Sequence, residues 1–381
     1  MKIVYCLNSI SYIGGIEKIT ITKAGALAKI DGNEVFVIVT DHFDGVTKVL
    51  PSKVNLIDLD IDYYADDWKS HLHMLKGVLV KRLLHKKRLN KILSELSPDV
   101  VISVGQSEKY FLTEIKGNWV TIREFHYPKD YRQRFAPTFI KQILAWLTDF
   151  YDYNYKIKQY NHIVVLTHED KNNNWKKLDR VSVIPNPLTF QSKNFSLMKK
   201  KEIISVGRLA EQKNYVSLIR AFRMVVNLHP DWILKIYGEG SQKNLLQSLI
   251  MELQLENHVW LCGVTSQIQE KMCEASFFVS SSKFEGLPLA QLEAMSCGLP
   301  VVSYACPTGP KDIIDDSESG FLVTPDDERM LSEKICYLIE HPDKLTKMGT
   351  IALKKSESYT LDKIIPMWMN LFEQLINKKE V

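Results

Sequence analysis

Phe284-Glu285-Gly286-Leu287-Pro288-Leu289-Ala290-Gln291-Leu292-Glu293-Ala294-Met295-Ser296-Cys297-Gly298-Leu299-Pro300-Val301-Val302 reads as loop, helix, glycine stop and buried strand. Pro288 suits the first helical turn, where its missing N–H is no loss, and Gly298 suits the left-handed residue that ends a helix. Glu285 then falls in the loop before the helix and Glu293 about 7 Å further along its axis, at ~1.5 Å rise per residue. Two carboxylates thus flank a ring of N–H groups that have no partner inside the helix. Such a ring, at the positive end of the helix dipole, attracts phosphate, while carboxylates accept paired hydrogen bonds from sugar or ribose hydroxyls. Taken singly, Glu285 favours the dipole and Glu293 is a solvated side chain; taken together, the segment describes a nucleotide-sugar site.

Outward from this segment the chain alternates. Short β-branched runs at 3–7, 35–39, 99–104, 120–122, 162–166 and 181–184 are separated by longer stretches, most of helical period, which predicts a parallel sheet covered by helices. The scheme repeats at 202–206, 232–237, 258–261, 276–279, 300–303 and 320–323. Between the halves, Ile184-Pro185-Asn186-Pro187-Leu188 and the polar stretch 189–201 break both periods. The expected organisation is an α/β domain over 1–188, a linker at 189–201, a second α/β domain over 202–360, and a helix at 361–381. That last helix, apolar at Ile364, Ile365, Trp368, Leu371, Phe372 and Leu375, either closes its own domain or crosses back onto the first.

The quoted segment resembles the signature of the retaining glycosyltransferases of family 4, whose hallmark is E-x7-E within a stretch of the form E-G-x-P-x-x-x-x-E-A-x-x-x-G-x-P-V-V. Glu285 and Glu293 fall on its two glutamate positions. The resemblance implies the GT-B fold, two Rossmann-like α/β domains facing across a cleft. It implies Glu285 at the transferred sugar, Glu293 on the ribose hydroxyls, and Gly286, Leu287, Pro288 and Leu289 against sugar and phosphate.

Upstream, Val206-Gly207-Arg208-Leu209-Ala210-Glu211-Gln212-Lys213-Asn214 resembles the family's G-R-L-x-x-x-K-N segment. Without a bound metal a departing diphosphate needs fixed positive charge; Arg208 forks two oxygens and Lys213 supplies a compact point charge. Gly240, in Tyr237-Gly238-Glu239-Gly240-Ser241, and Gly263-Val264, after a strand, resemble the family's donor-holding turns, although ordinary strand-to-helix punctuation looks the same. Gly14-Gly15, opening a helix after the first strand, resembles the glycine pair that faces the donor. His126, after the strand at 119–122, resembles a histidine that reaches the transferred sugar; Glu124 is an equally polar neighbour.

The remaining composition sets bounds. In 381 residues, 49 basic and 45 acidic side chains leave a formal charge of +4, and 45% are apolar, an ordinary globular balance. The six cysteines form no C-x-x-C pair, as expected of reduced thiols in the cytoplasm. The apolar run at 3–7 is too short for a secretory leader, and no stretch reaches the length of a membrane span. No Walker A sequence occurs, and Gly238-Glu239-Gly240 lacks the third glycine of a dinucleotide fingerprint. Asp58-Leu59-Asp60 matches the metal-binding D-x-D of the other common transferase fold, but the two-domain layout contradicts that fold, so it reads as a solvated strand end and no metal or other cofactor is expected.

Charge is unevenly spread: 1–200 holds 30 basic and 21 acidic side chains, 201–381 holds 19 and 24. Much of the basic excess lies in 68–93, with Lys69, Lys76, Lys81, Arg82, Lys86, Lys87, Arg88 and Lys91 beside Leu72, Leu75, Val78, Leu79, Leu83 and Leu89. It reads either as a helix lying on the anionic inner face of the cytoplasmic membrane or as a core-packed helix with a solvated cationic face. Nucleic acid is not an expected partner, since no base-reading module accompanies the charge.

The resulting expectation is a metal-independent, retaining hexosyltransferase. Its donor would be a nucleotide-diphosphate sugar, with UDP-hexose or UDP-N-acetylhexosamine foremost. Its acceptor would be a glycan, such as a lipid-linked oligosaccharide in surface-polysaccharide assembly. A nucleotide-sugar epimerase of the same fold and a non-catalytic nucleotide-sugar binding protein would use the same donor site.

Overall fold

The computed structural model of the chain describes residues 1–10, 14–41, 50–63, 71–134, 136, 138–192 and 194–380, the side chains of 71–78 and 380 excepted. They form two compact units, one of Met1–Leu166, Asp170–Pro187 and Leu361–Val381, the other of Thr167–Glu169 and Leu188–Thr360.

The first unit is built on seven parallel strands: β1 (Lys2–Cys6), β2 (Glu34–Val39), β3 (Val54–Asp58), β4 (Val100–Ser103), β5 (Val120–Glu124), β6 (His162–Val165) and β7 (Val181–Val183). Their order is β3-β2-β1-β4-β5-β6-β7, and Ile3 registers against both Val35 and Val100. β4 and β6 are buried along their whole length, which is why they read as unbroken apolar runs. Strand direction of travel reverses between β1 and β4, and ligands of open α/β sheets sit outside the carboxyl ends at such a point.

The second unit holds six more parallel strands: β8 (Glu202–Val206), β9 (Ile233–Tyr237), β10 (Val259–Gly263), β11 (Phe277–Ser280), β12 (Val301–Tyr304) and β13 (Gly320–Val323). The order β10-β9-β8-β11-β12-β13 puts the switch point between β8 and β11. The helix Tyr215–Leu228 buries Leu218, Ile219, Phe222, Val225 and Val226 at helical spacing against this sheet's core. Both sheets are the parallel α/β architecture expected from the sequence, with β3 added at the edge of the first and strand ends moved by a residue or two.

The helix Leu361–Glu380 packs in the first unit. Ile364, Trp368 and Phe372 are fully buried and share a core with Ile3, Val35 and Ile102. The Trp368 ring lies 4.8 Å from the Lys23 ammonium, and Lys379 donates to the Trp119 carbonyl at 2.8 Å. Trp368→Ala is expected to cost about 3–5 kcal/mol. Limited proteolysis should then clip the last twenty residues before the rest of the chain, and urea melts should show the loss.

The stretch 189–201, expected as a linker, is tied into the second unit. Leu188 donates to the Tyr359 carbonyl at 2.7 Å and Ser196 to that of Cys297 at 3.0 Å. Of the basic segment, Trp68 and Lys69, and the side chains of Leu72, Leu75, Lys76 and Val78, lie outside the described residues. The remainder belongs to the helix His71–Leu96, where Leu89 and Leu93 are fully buried while Leu79, Val80 and Leu83 are exposed. In the D-x-D stretch, the Asp58 carboxylate accepts the Asp60 N–H at 2.8 Å, and the exposed Asp60 carboxylate stands 3.3 Å from Arg88.

Candidate active site

The two motif segments of the second unit meet because of strand order. Arg208 and Lys213 follow β8, and the glutamate loop follows β11; these strands are neighbours at the switch point. Lys213 Nζ donates to Glu285 Oε1 at 2.6 Å, with the carboxylate 8% exposed and the lysine side chain 20%. Gly207 makes this reach possible: a Cβ there would stand 3.0 Å from Lys213 Cε and 2.9 Å from the Tyr215 hydroxyl. Arg208 is exposed, its guanidinium 3.5 Å from the Gln212 amide oxygen. The same Gln212 amide donates to the Phe284 carbonyl at 2.9 Å, so one side chain bridges the cation segment and the glutamate loop.

The loop is pinned on its other side. Glu285 donates its N–H to the Pro307 carbonyl at 3.1 Å and accepts at its own carbonyl from the Thr308 hydroxyl. Gly309, at φ +99°, lies where a Cβ would run into Pro288 and stand 3.0 Å from the Gly286 carbonyl oxygen. The helix proper runs Leu289–Ser296, so Pro288 is its cap rather than its first residue, and the Pro288 carbonyl takes the N–H groups of Gln291 and Leu292. Among the described residues no backbone acceptor is recorded for Leu289 or Ala290 N–H, and these two amides stand at the helix start. Gly298, at φ +80°, ends the helix as its position suggested.

Glu293 is 8% exposed, and its carboxylate accepts from the Thr189 hydroxyl. Leu287 is buried and Gly286 half-buried. Gly240 lies hard against the Leu209 backbone, whose amide donates to the Glu239 carbonyl at 2.9 Å. The Gly263 carbonyl takes the Gly238 N–H at 2.8 Å, and Val264 beyond it is 78% exposed. The loops after β8, β9 and β10 are thus laced together by backbone bonds, leaving Val264 at the surface.

In the first unit, Gly14 caps the helix Gly15–Leu27 and Glu17 folds back over it, so that a Cβ on Gly14 would meet the Glu17 carboxylate. Burial pushes the Glu17 carboxyl up, with the Glu17 and Gly14 amides and His126 pulling the other way. His126 Nε2 stands 3.1 Å from Glu124 Oε1, and its Nδ1 faces the Asn186 amide nitrogen at 3.4 Å. Glu124 and Lys23 form an ion pair with both side chains fully buried. Burial alone would raise the Glu124 carboxyl, but the charges of Lys23 and His126, with their hydrogen bonds, outweigh it and bring it down to about 2. Glu124 is therefore committed to the core pair, and His126 is the member of the two held against it.

Four participants were not singled out from sequence: Thr189, Gln212, Lys23 and Glu17. Gln212 sat inside a motif already quoted and Glu17 two residues past another, so proximity to those motifs was their signal. Thr189 and Lys23 carry no local signal, because their partners are 104 and 101 residues away.

Paired carboxylates and cations stand at the switch point of one doubly wound sheet, and a second such sheet lies in the chain, the architecture of the GT-B fold. The comparisons agree. Residues 189–355 match the family described as glycosyl transferases group 1. An uncharacterized glycosyltransferase of Haemophilus influenzae is 28% identical over 378 residues, 97% of this chain and 99% of its own length. The N-acetylgalactosamine-N,N'-diacetylbacillosaminyl-diphospho-undecaprenol 4-alpha-N-acetylgalactosaminyltransferase of Campylobacter jejuni is 37% identical over 150 residues, 39% of this chain and 40% of its own. The structure of a Staphylococcus aureus TarM variant with Fondaparinux, alpha-GlcNAc-glycerol and UDP superposes with a TM-score of 0.77 at 16% identity, covering 97% of this chain and 99% of that one. At that identity the likeness carries the GT-B fold alone.

Proposed function

We propose that this protein is a retaining glycosyltransferase of family 4. It would move a hexose or N-acetylhexosamine from a nucleotide-diphosphate sugar, a UDP-sugar foremost, to a glycan acceptor, a lipid-linked oligosaccharide of surface-polysaccharide assembly. The observation that carries the proposal is the Lys213–Glu285 pair, 2.6 Å apart at the switch point of the second sheet. A carboxylate that can hold sugar hydroxyls is there locked to a cation that can hold a diphosphate. The Campylobacter relative, named for a diphospho-undecaprenol glycan, supports the lipid-linked acceptor.

In the proposed reaction the bond from the anomeric carbon to the diphosphate breaks through an oxocarbenium-like state, and the departing oxygen keeps the electron pair. Arg208, Lys213 and the Leu289 and Ala290 amides stabilise that developing charge, the kind of fixed donor whose removal costs roughly 100- to 1000-fold in rate. Glu285 orients the sugar, and Glu293 accepts from the ribose hydroxyls, exchanging its bond from Thr189 for them. The acceptor hydroxyl attacks on the face the diphosphate leaves, passing its proton to the departing phosphate oxygen, so configuration is retained. Gly14, Gly15 and His126 of the first unit are proposed to contribute to donor binding, as are Gly240, Gly263 and Val264 of the second.

The test is nucleotide release from a panel of UDP-, GDP- and ADP-sugars in EDTA, with and without a membrane lipid extract, for wild type and Glu285→Ala. Extract-dependent release of one nucleotide, unaffected by EDTA and lost in the variant, is expected. Activity lost in EDTA and restored by Mn²⁺ would remove metal independence; isomerised or merely bound sugar would replace the transferase with an epimerase or a binding protein.

A further inference from the structure

The helix Phe139–Tyr151 is built inside out. Its one buried residue is Asp149, held by Arg132 at 2.7 Å and Gln133 at 3.0 Å. Phe139, Ile140, Leu144, Trp146, Leu147 and Phe150 face solvent, from 50% exposed at Leu147 to 75% at Phe139. At 3.6 residues per turn these six, with Ile143 and Tyr151, fall within an arc of about 160°. A helix of a globular protein turns such an arc toward its core; here the polar side faces inward and the apolar side meets water. Apolar exposure of this extent marks an interaction surface, unlike single scattered side chains.

Beside the helix lies a groove of about 620 Å³, lined by Trp146 and Phe150 together with Lys129, Lys158, Lys176 and Lys177. Its carboxylates, Asp130 and Asp149, already accept from Arg134 and Arg132. Apolar surface is therefore continuous with cationic surface whose nearest acids are engaged elsewhere.

We propose that Phe139–Tyr151 is a membrane-docking helix, lying flat in the headgroup region of an anionic phospholipid bilayer with its apolar arc in the acyl boundary and the lysine groove against lipid phosphates. Thirteen residues make a rod of about 20 Å, too short to cross a hydrocarbon core of about 30 Å but suited to lying in the interface. Trp146, Tyr151 and Tyr155 are the side chains that settle at headgroup level, and Tyr151 and Tyr155 stack with centroids 5.6 Å apart. A second copy of the chain would set the lysine groove against its own like charges, whereas anionic lipid neutralises them. The proposal does not rest on the transferase reading; it holds whatever the second unit binds.

The test is co-sedimentation with vesicles of phosphatidylcholine alone and with about one-third phosphatidylglycerol, for wild type, Leu144→Glu/Leu147→Glu, and Leu79→Ser/Leu83→Ser in the helix His71–Leu96, where both leucines are also exposed. Wild type should prefer the anionic vesicles, and Leu144→Glu/Leu147→Glu should lose about tenfold or more in partitioning while melting at the wild-type temperature. Quenching of tryptophan fluorescence by brominated lipid should fall in Trp146→Phe. Equal binding of Leu144→Glu/Leu147→Glu and wild type, equal binding to neutral vesicles, or loss confined to Leu79→Ser/Leu83→Ser would overturn the proposal. So would a wild-type dimer in sedimentation velocity that Leu144→Glu/Leu147→Glu abolishes while neither protein binds vesicles.

Discussion

Lys213→Ala is expected, on the proposed transferase reading, to slow sugar transfer roughly 100- to 1000-fold, in kcat and kcat/KM alike, and to destabilise the second unit as well. The two effects have one cause. The ammonium is the partner of a carboxylate that is 8% exposed, and removing it leaves that charge nearly buried without compensation. Breaking a fully buried pair costs about 3–5 kcal/mol; here the lysine is 20% exposed, so about 1–3 kcal/mol is expected. Lys213→Arg should recover stability and part of the rate, since charge is kept while the reach over Gly207 changes. Glu285→Gln should behave differently, keeping the Lys213 cation proposed for the diphosphate but weakening the proposed hold on the sugar. Initial rates with the donor identified by nucleotide release, alongside urea melts, separate these outcomes; a Lys213→Ala enzyme running at wild-type rate would remove the leaving-group role.

The second large effect lies in the first unit. Lys23→Ala is expected to cost about 3–5 kcal/mol, because it leaves the fully buried Glu124 carboxylate with no counter-charge beyond His126. Lys23→Met/Glu124→Leu should be far milder, since no ion is then buried. Acid gives an independent check. The Glu124 carboxyl is lowered in the folded protein from 4.5 to about 2. The pair's contribution is therefore present in full above the unfolded value and fades as pH falls through the folded one. Between roughly pH 4.5 and 2 the wild type should lose stability that Lys23→Met/Glu124→Leu never had. Fluorescence melts across that window would show parallel curves for both proteins if the pair did not matter.

What the sequence disclosed, and what it withheld, follows the range of the interactions. The helix after Pro288 and its stop at Gly298 are local, fixed by a missing N–H and a left-handed residue, and could be read in place. Parallel strands buried on both faces announce themselves as β-branched runs, which is why β4 and β6 were visible. Partners such as Thr189 for Glu293, or Lys23 for Glu124, depend on strand order, and nothing near either residue encodes that. Phe139–Tyr151 was withheld for another reason: apolar side chains at helical spacing look alike whether the arc faces a core or water. Only the position of Asp149, held from within by Arg132, tells which way the helix faces.

The place of Trp368 in the first unit sets an order of assembly during synthesis. Chains emerge from the ribosome amino end first, and domains ordinarily fold in that order. Here β1 to β7 are complete long before the ribosome reaches Leu361, yet the layer that covers Ile3, Val35 and Ile102 includes Ile364, Trp368 and Phe372. The first-made sheet must wait with part of its apolar face bare while the entire second unit is translated. A nascent chain paused or released before residue 361 would therefore be a folded second unit trailing an unfinished first one, the form chaperones and proteases should meet most often.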